Sequence, residues 1–301
     1  MEHYHSLNSY LRETFGKKLY KLALDGGFSC PNRDGTLGSR GCIFCSGRGS
    51  GDFSVPVGSD IDTAIEKAME KVSKKNKGGG YIAYFQNFTG TYAPLPYLQK
   101  LYTAAVNNPE ISVLSIGTRP DCVGSEVTAL LSGLNKIKPV WVELGLQSIH
   151  EETARYIRRG YELPVFDDAV KRLKDAGLNV IVHMIIGLPG ESREMMYETA
   201  KYIGASGADG VKFQLLHILE NTDLAEEYRA GKFRALELGE YIEILEGCIR
   251  RIPPQMVVHR ITGDGAKKDL IAPLWSGNKK MVLNTLHRAF DRDNLIQGEL
   301  L

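Results

Sequence analysis

The sequence predicts an α/β protein built as a partial (β/α)6 barrel of TIM type with a helical C-terminal extension. Three observations carry that prediction. Six short apolar runs alternate with amphipathic stretches over the first 220 residues. Polar residues and glycines gather just after those runs. No GxGxxG follows the first run and no Walker loop occurs, so the usual marks of a nucleotide-binding sheet are missing. Strand, helix, strand, repeated along the chain, argues for a parallel sheet with right-handed crossovers.

The strands are expected at 19–24, 81–86, 111–116, 140–145, 179–186 and 211–216. Helical patterns lie between them at 61–72, 94–106, 126–134, 164–176 and 191–203. Ile61, Ile65, Ala68, Met69 and Val72 fall on one helical face. Asp175-Ala176-Gly177-Leu178 reads as a glycine helix stop before a strand. The run 74–80, Lys-Lys-Asn-Lys-Gly-Gly-Gly, is a basic turn. The tail adds helices at 238–249 and 278–292 and a strand-like run at 256–259, and Pro253-Pro254 marks a bend. The expected organisation is a barrel over 1–220, with a cysteine loop at 26–50, and an extension over 221–301 packed on it.

The bulk properties set limits. With 301 residues, 43% hydrophobic and 24% charged, the chain can bury a full core. A formal charge of +1 rules out a polyelectrolyte binder, so a nucleic-acid partner needs a local basic face. No run approaches the roughly 18 apolar residues of a membrane span, so no membrane partner is expected. The start, Met1-Glu2-His3-Tyr4-His5, has no basic-then-apolar signal pattern. A cytoplasmic protein is expected, its cysteines reduced or metal-bound.

In a parallel barrel, function gathers at the C-terminal strand ends. Here those ends carry Asp25-Gly26-Gly27, the run 86–92, Gly117-Thr118-Arg119-Pro120-Asp121-Cys122, Glu143 to Ser148, and Gly187-Leu188-Pro189-Gly190-Glu191. The first strand runs into Cys30, Cys42 and Cys45, a C-x11-C-x2-C spacing. Three thiolates on one Gly-rich loop can hold three irons of a four-iron cluster and leave the fourth open, whereas a typical cluster takes four cysteines. A zinc half-site completed by His3 or His5 and a set of small buried thiols are the other readings. Glu143 in an apolar strand needs a partner. Cys122 reads as a buried thiol or a hydrogen-atom donor, and Cys248 as core. Lys212 and Gln214 share one strand face and His217 the other. His259, Arg260 and Asp264 form a polar cluster in the tail. Lys267-Lys268, Lys279-Lys280 and the Lys74 turn are the basic residues at hand for RNA contact.

With its aromatic before the last cysteine, Cys42-Ile43-Phe44-Cys45 resembles the radical S-adenosylmethionine (SAM) enzymes. The resemblance implies a [4Fe–4S] cluster on Cys30, Cys42 and Cys45, with SAM chelated to the open iron. It further implies reductive cleavage of SAM to a 5′-deoxyadenosyl radical, with an electron from a reductant such as flavodoxin or ferredoxin. Thr89-Gly90-Thr91 sits where the superfamily meets the SAM amino group. It resembles the Gly-Gly-Thr form of oxygen-independent coproporphyrinogen oxidase and the Elongator catalytic subunit. Val142 to Ser148 is similar to their fourth-strand motif, which places Glu143 or Gln147 at the ribose and methionyl end of SAM. Arg159 matches an arginine that contacts SAM in the oxidase family, which has an Asp where this chain has His183. The segment around Gly187 resembles the one that lines adenine. No catalytic side chain is assigned.

Ala23 to Phe28, Tyr81 to Gln86, Thr118 to Cys122 and Val258 to Gly265 resemble a bacterial group of YtqA/YhcC type. That resemblance implies tRNA wobble-uridine modification, converting the 5-carboxymethylaminomethyl group to 5-aminomethyl, with tRNA as partner. The alternatives are a radical SAM enzyme acting on a small metabolite or tetrapyrrole, and a zinc-stabilised RNA-binding module.

Overall fold

The computed structural model describes residues 2–49, 51, 53–58, 60–263, 265 and 267–301. Its centre is one eight-stranded sheet in the order β2-β1-β3-β4-β5-β6-β7-β9, every neighbouring pair parallel. The strands are β1 (Leu19–Asp25), β2 (Val55–Pro56), β3 (Gly80–Phe85), β4 (Ile111–Thr118), β5 (Val140–Gln147), β6 (Asn179–Ile186), β7 (Gly210–Leu215) and β9 (Val257–Arg260). The short strands β8 (Ile218–Leu219) and β10 (Leu270–Ala272) pair antiparallel as a separate ribbon. The helices are α1 (Leu7–Phe15), α2 (Ile61–Val72), α3 (Leu95–Asn107), α4 (Ser125–Asn135), α5 (Glu151–Tyr156), α6 (Leu163–Asp175), α7 (Arg193–Ala205), α8 (Asp223–Arg229), α9 (Leu238–Ile249) and α10 (Lys279–Arg292).

From β1 through β9 the strand order never reverses. Every right-handed crossover therefore steps the same way, and the crossover helices fall on one face. Among the described residues β2 and β9 do not pair, so the sheet is an open, partial barrel. All six strands expected from the sequence are present, at bounds within a few residues. Two edge strands join them. The first, β2, spans only two residues, too short for a pattern. The second, β9, is the strand-like run of the tail, which enters the sheet beside β7. Residues 221–301 thus contribute to the same core as the barrel.

Local rules account for the helices. The α2 N-cap, Asp60, accepts from the amides of Asp62 and Thr63, and Ile61, Ala64, Ile65 and Ala68 bury their side chains. Helix α6 stops at Asp175, and Gly177 turns with φ 76° before β6. Cys248 is fully buried on α9. The helix α1, unmarked in the sequence pattern, plugs the N-terminal end of the inner face. Its Leu11 packs with Leu19, Ile82, Val113, Trp141 and Ile181, one from each of five strands. The opposite, C-terminal end is left to the loops. No helix among the described residues is long and apolar enough to cross a membrane.

Candidate active site at the C-terminal end of the sheet

The loop after β1 is pinned from three sides. Ile43, between the paired cysteines, is buried in a satellite core with Ile157, Ile185, Leu188, Leu216 and Leu224. Its amide donates to the Ile157 carbonyl at 3.2 Å, and its carbonyl accepts from the Leu224 amide at 3.0 Å. Asn32 donates from its side-chain amide to the Arg158 carbonyl at 2.7 Å and lies 3.5 Å from the Cys42 sulfur. The Arg33 guanidinium donates to the Cys45 and Ser46 carbonyls at 3.0 and 2.7 Å. Gly51 packs on the end of β3 so closely that a Cβ would stand 1.8 Å from the Asn87 side chain.

Cys30, Cys42 and Cys45 are half-buried on this loop, and no disulfide joins the five cysteines. Among the described residues the three sulfurs do not form a closed metal group with a fourth His, Cys, Asp or Glu, nor are they drawn together into one. They are near enough to feel one another. Burial, followed by the charge of Cys45, pushes the Cys42 thiol up to about 12, while the Asn32 amide and Arg119 oppose the rise. Arg119 is buried. It grips Asp121 through two bonds of 2.9 and 2.7 Å and donates to the Arg159 carbonyl at 2.7 Å. A fixed cation beside clustered thiols favours their ionised form.

The residues expected at SAM divide into two sets. Among the described residues Thr89 Oγ1 and Gln147 Oε1 are buried with no hydrogen-bond partner, as is Asn87 Oδ1, two residues before Thr89. Buried polar atoms are seldom left unpaired, and such orphans at a strand-end cleft mark a place for a ligand. Gln147 also stands at φ 68°, where the β5–β6 register shifts between Gly145 and Gln147. A bulge of this kind re-aims a side chain. Gly90 approaches β4 so closely that a Cβ would lie 2.8 Å from Ile116 and 2.9 Å from the Gly117 carbonyl. Gly187 turns with φ 93°.

The second set is held by the protein itself. Thr91 donates to the Cys122 carbonyl at 2.6 Å and accepts from Thr118 at 2.5 Å. Arg159 is buried and spends its donors on the Ser148 carbonyl at 2.6 Å, the Tyr161 carbonyl at 3.0 Å and Glu151 at 3.0 Å. It fixes the corner on which Asn32 and Arg119 rest. Glu143 is fully buried on the inner face, where its carboxylate accepts from Lys21 at 3.0 Å, Ser115 at 2.7 Å, His183 at 2.8 Å and Lys212. Burial alone would raise its carboxyl, but Lys21 and Lys212 outweigh burial and hold it well below the usual range. Burial and then the Lys212 charge push His183 down to about 4. Its neutral ring donates from Nε2 to Glu143, and its Nδ1 faces the Gln214 amide at 3.4 Å.

Sequence reasoning foresaw that Glu143 needs a partner but not which. Lys21, Tyr84, Ser115, His183 and Lys212 come from five different strands, and only the period-2 inner face relates them. His217 lies beyond the end of β7. His259 and Arg260 are on β9, whereas Asp264 lies outside the described residues.

Residues 35–203 match the radical SAM superfamily, and residues 208–292 match the radical SAM C-terminal domain. The chain therefore belongs to the radical SAM superfamily. Within it, the chain is 43% identical to YtqA of Bacillus subtilis over 98% of its own length and 92% of the relative's. It is 36% identical to protein YhcC of Escherichia coli over 97% and 93% of the two chains. A tRNA uridine(34) acetyltransferase of Methanocaldococcus infernus is 34% identical over 50% of this chain and 28% of that protein. Among solved structures, the archaeal Elp3 of Methanocaldococcus infernus superposes with a TM-score of 0.68 at 19% identity. That match covers 93% of this chain and 64% of the other, and it identifies the curled half-barrel fold. Members of the superfamily normally bind SAM and a [4Fe–4S] cluster.

Proposed function

We propose that this protein is a radical SAM enzyme acting on the wobble uridine of tRNA, converting a 5-carboxymethylaminomethyl group to 5-aminomethyl. The observation that carries the substrate class is the 155-residue match to a tRNA uridine(34) acetyltransferase, which acts at that nucleotide. The residues present fit the cofactors: three thiols on one pinned loop, a buried cation at Arg119 beside them, and, among the described residues, orphaned oxygens on Thr89, Asn87 and Gln147. Cys30, Cys42 and Cys45 would hold the cluster, and Thr89, Gly90, Gln147 and Gly187 would shape the SAM site.

When bound, the cluster and SAM together supply a carbon-centred radical able to abstract a hydrogen from substrate. The chain's own contribution is placement. Ile43 and Asn32 hold the cysteine loop against the 157–160 corner. Arg159 and Thr91 brace the strand ends. Thr89 and Gln147 offer polar atoms where β3 and β5 open. Lys21, Glu143 and Lys212 stay bonded below the mouth, with Glu143 and Lys212 buried and Lys21 partly exposed.

Two measurements test the reading. Anaerobically reconstituted protein holds about four irons per chain and cleaves SAM when reduced; stoichiometric zinc with no SAM turnover overturns the enzyme class. Transfer RNA from cells lacking the protein accumulates 5-carboxymethylaminomethyluridine at the wobble position. An unchanged wobble profile overturns the substrate.

A further inference from the structure

Among the described residues, the inner face of the sheet gathers more basic side chains than carboxylates. Lys21 on β1, Lys212 on β7 and Arg260 on β9 converge there, and the carboxylate bonded to the lysines is Glu143. Both oxygens of that carboxylate are already occupied, one by Lys21 and Ser115, the other by His183 and Lys212. His183 is neutral and adds no counter-charge. Lys212 donates to the Tyr84 hydroxyl at 3.0 Å, and the Tyr84 ring lies 4.5 and 4.4 Å from the two ammonium groups.

Arg260 is the unspent cation. It is half-buried, yet among the described residues its guanidinium has no hydrogen bond and no ion pair. Its position is clear from its neighbours: it is the register partner of Lys212, and its charge acts on Tyr84, His183 and Lys212. A buried charge without a partner is costly, and a planar guanidinium matches a carboxylate through two parallel bonds. The group is also open to one side. The side chains of Lys21 and His183 keep 21% and 16% of their exposure, and Gln214, one inner-face step nearer the mouth than Lys212, reaches His183.

We propose that Arg260, with Lys21 and Lys212, forms a carboxylate-binding site within the half-barrel that reads the free acid of the substrate's side chain. Glu143 is its built-in counter-ion, which holds both lysines in place by hydrogen bonds until the acid arrives. The site stands on the charge geometry. Assigning its ligand to the carboxylate of the carboxymethylaminomethyl group rests on the function proposed above. That arm is a few bonds long and ends in a carboxylate, and its 5-aminomethyl product has lost the acid. The same site then explains how substrate is held and product released.

The test uses holoprotein with cluster and SAM but without reductant, at one fixed salt concentration, since RNA affinity is salt-dependent. Dissociation constants are measured for two anticodon stem-loops, one bearing the 5-carboxymethylaminomethyl group and one the 5-aminomethyl group. In parallel, binding of N-methylglycine is followed by ligand-detected NMR, with methylamine and inorganic phosphate as comparators. The expected preference for the acid-bearing stem-loop is about tenfold, the scale of one charge-assisted pair. It collapses in Arg260→Gln and is partly kept in Arg260→Lys. Because the Arg260 guanidinium has no hydrogen bond or ion pair among the described residues, neither variant is expected to remove a structural contact, and unchanged melting curves confirm it. N-methylglycine is expected to bind the wild type and not Arg260→Gln.

A stem-loop preference that survives Arg260→Gln overturns the site and leaves the wobble reading standing. So does N-methylglycine that fails to bind or binds independently of Arg260. Phosphate that outcompetes N-methylglycine overturns the carboxylate class. If neither stem-loop binds better than an unrelated hairpin while N-methylglycine binds through Arg260, the site stands and the wobble reading falls.

Discussion

The carbonyl of Ile43, set between the paired cysteines, accepts the Leu224 amide at 3.0 Å, so the cysteine loop is tied to the first turn of α8. The Ile43 side chain reinforces the tie by filling a core shared with α5, β6 and β8. The loop is thus held by an apolar anchor lying one residue from Cys42.

Truncating that anchor separates fold from cofactor retention. Ile43→Ala is expected to cost about 2–4 kcal/mol, the range for emptying a buried aliphatic site. Iron content after reconstitution falls with it, because the sulfurs of Cys42 and Cys45 lose their fixed support. Urea denaturation and iron analysis on the same preparation check both. Full stability and full iron would show that Asn32 and Arg33 suffice to hold the loop.

The buried ion group makes a sharper thermodynamic claim. Glu143→Gln or Lys212→Met alone leaves an uncompensated charge inside the sheet and is expected to cost about 3–5 kcal/mol. The double variant removes both charges and costs less than the sum, with an interaction energy of about 1–3 kcal/mol between neighbours. Equilibrium unfolding of the four proteins closes the cycle. Additive losses would mean that the two side chains act separately.

How much of this was legible in the sequence depends on how far apart the partners lie. Ile61, Ile65 and Ala68 announce α2 because a helix repeats within itself. The cysteine loop is equally plain, since three thiols fall in 16 residues. By contrast, Lys21, Ser115, Glu143, His183 and Lys212 are separated by 28 residues or more, so the network exists only once the register does. Arg159 illustrates another limit. An arginine near a strand end suits a bound carboxylate, but chain carbonyls at Ser148 and Tyr161 can take the same donors, and spacing does not separate the two. The edge strands β2 and β9 are short and gain their structure from the neighbours they pair with.

Acid should loosen the protein through His183. Burial holds its pKa in the fold down to about 4, below the ordinary 6.5 of a free histidine. Between those values the unfolded chain binds a proton that the folded chain refuses, so stability rises with pH there and is lost as pH falls from 6.5 toward 4. The shift is worth up to about 3 kcal/mol, reduced in practice because the ring keeps 16% exposure. His183→Gln, which retains a donor to Glu143, is expected to flatten the slope of unfolding free energy over that window. An unchanged slope would place the acid sensitivity elsewhere.

Gln147 trades stability for position. It is a non-glycine residue at φ 68°, held there by the β5 bulge, and its Oε1 is buried without a partner. Backbone of this kind costs about 1 kcal/mol or more and persists where something else depends on it. Gln147→Gly relieves the strain and deletes the amide, so its expected effect is a gain of about 1 kcal/mol in unfolding free energy. SAM affinity of the reconstituted protein is expected to drop about tenfold, the scale of one buried hydrogen bond. Gln147→Asn tolerates the left-handed backbone but shortens the reach. It should lose affinity while gaining little stability. Calorimetric SAM titration and urea denaturation read the two quantities independently. If Gln147→Gly binds SAM as tightly as the wild type, the orphaned amide does not face the cofactor, and the bulge serves only the packing of Gly145 beneath Tyr161.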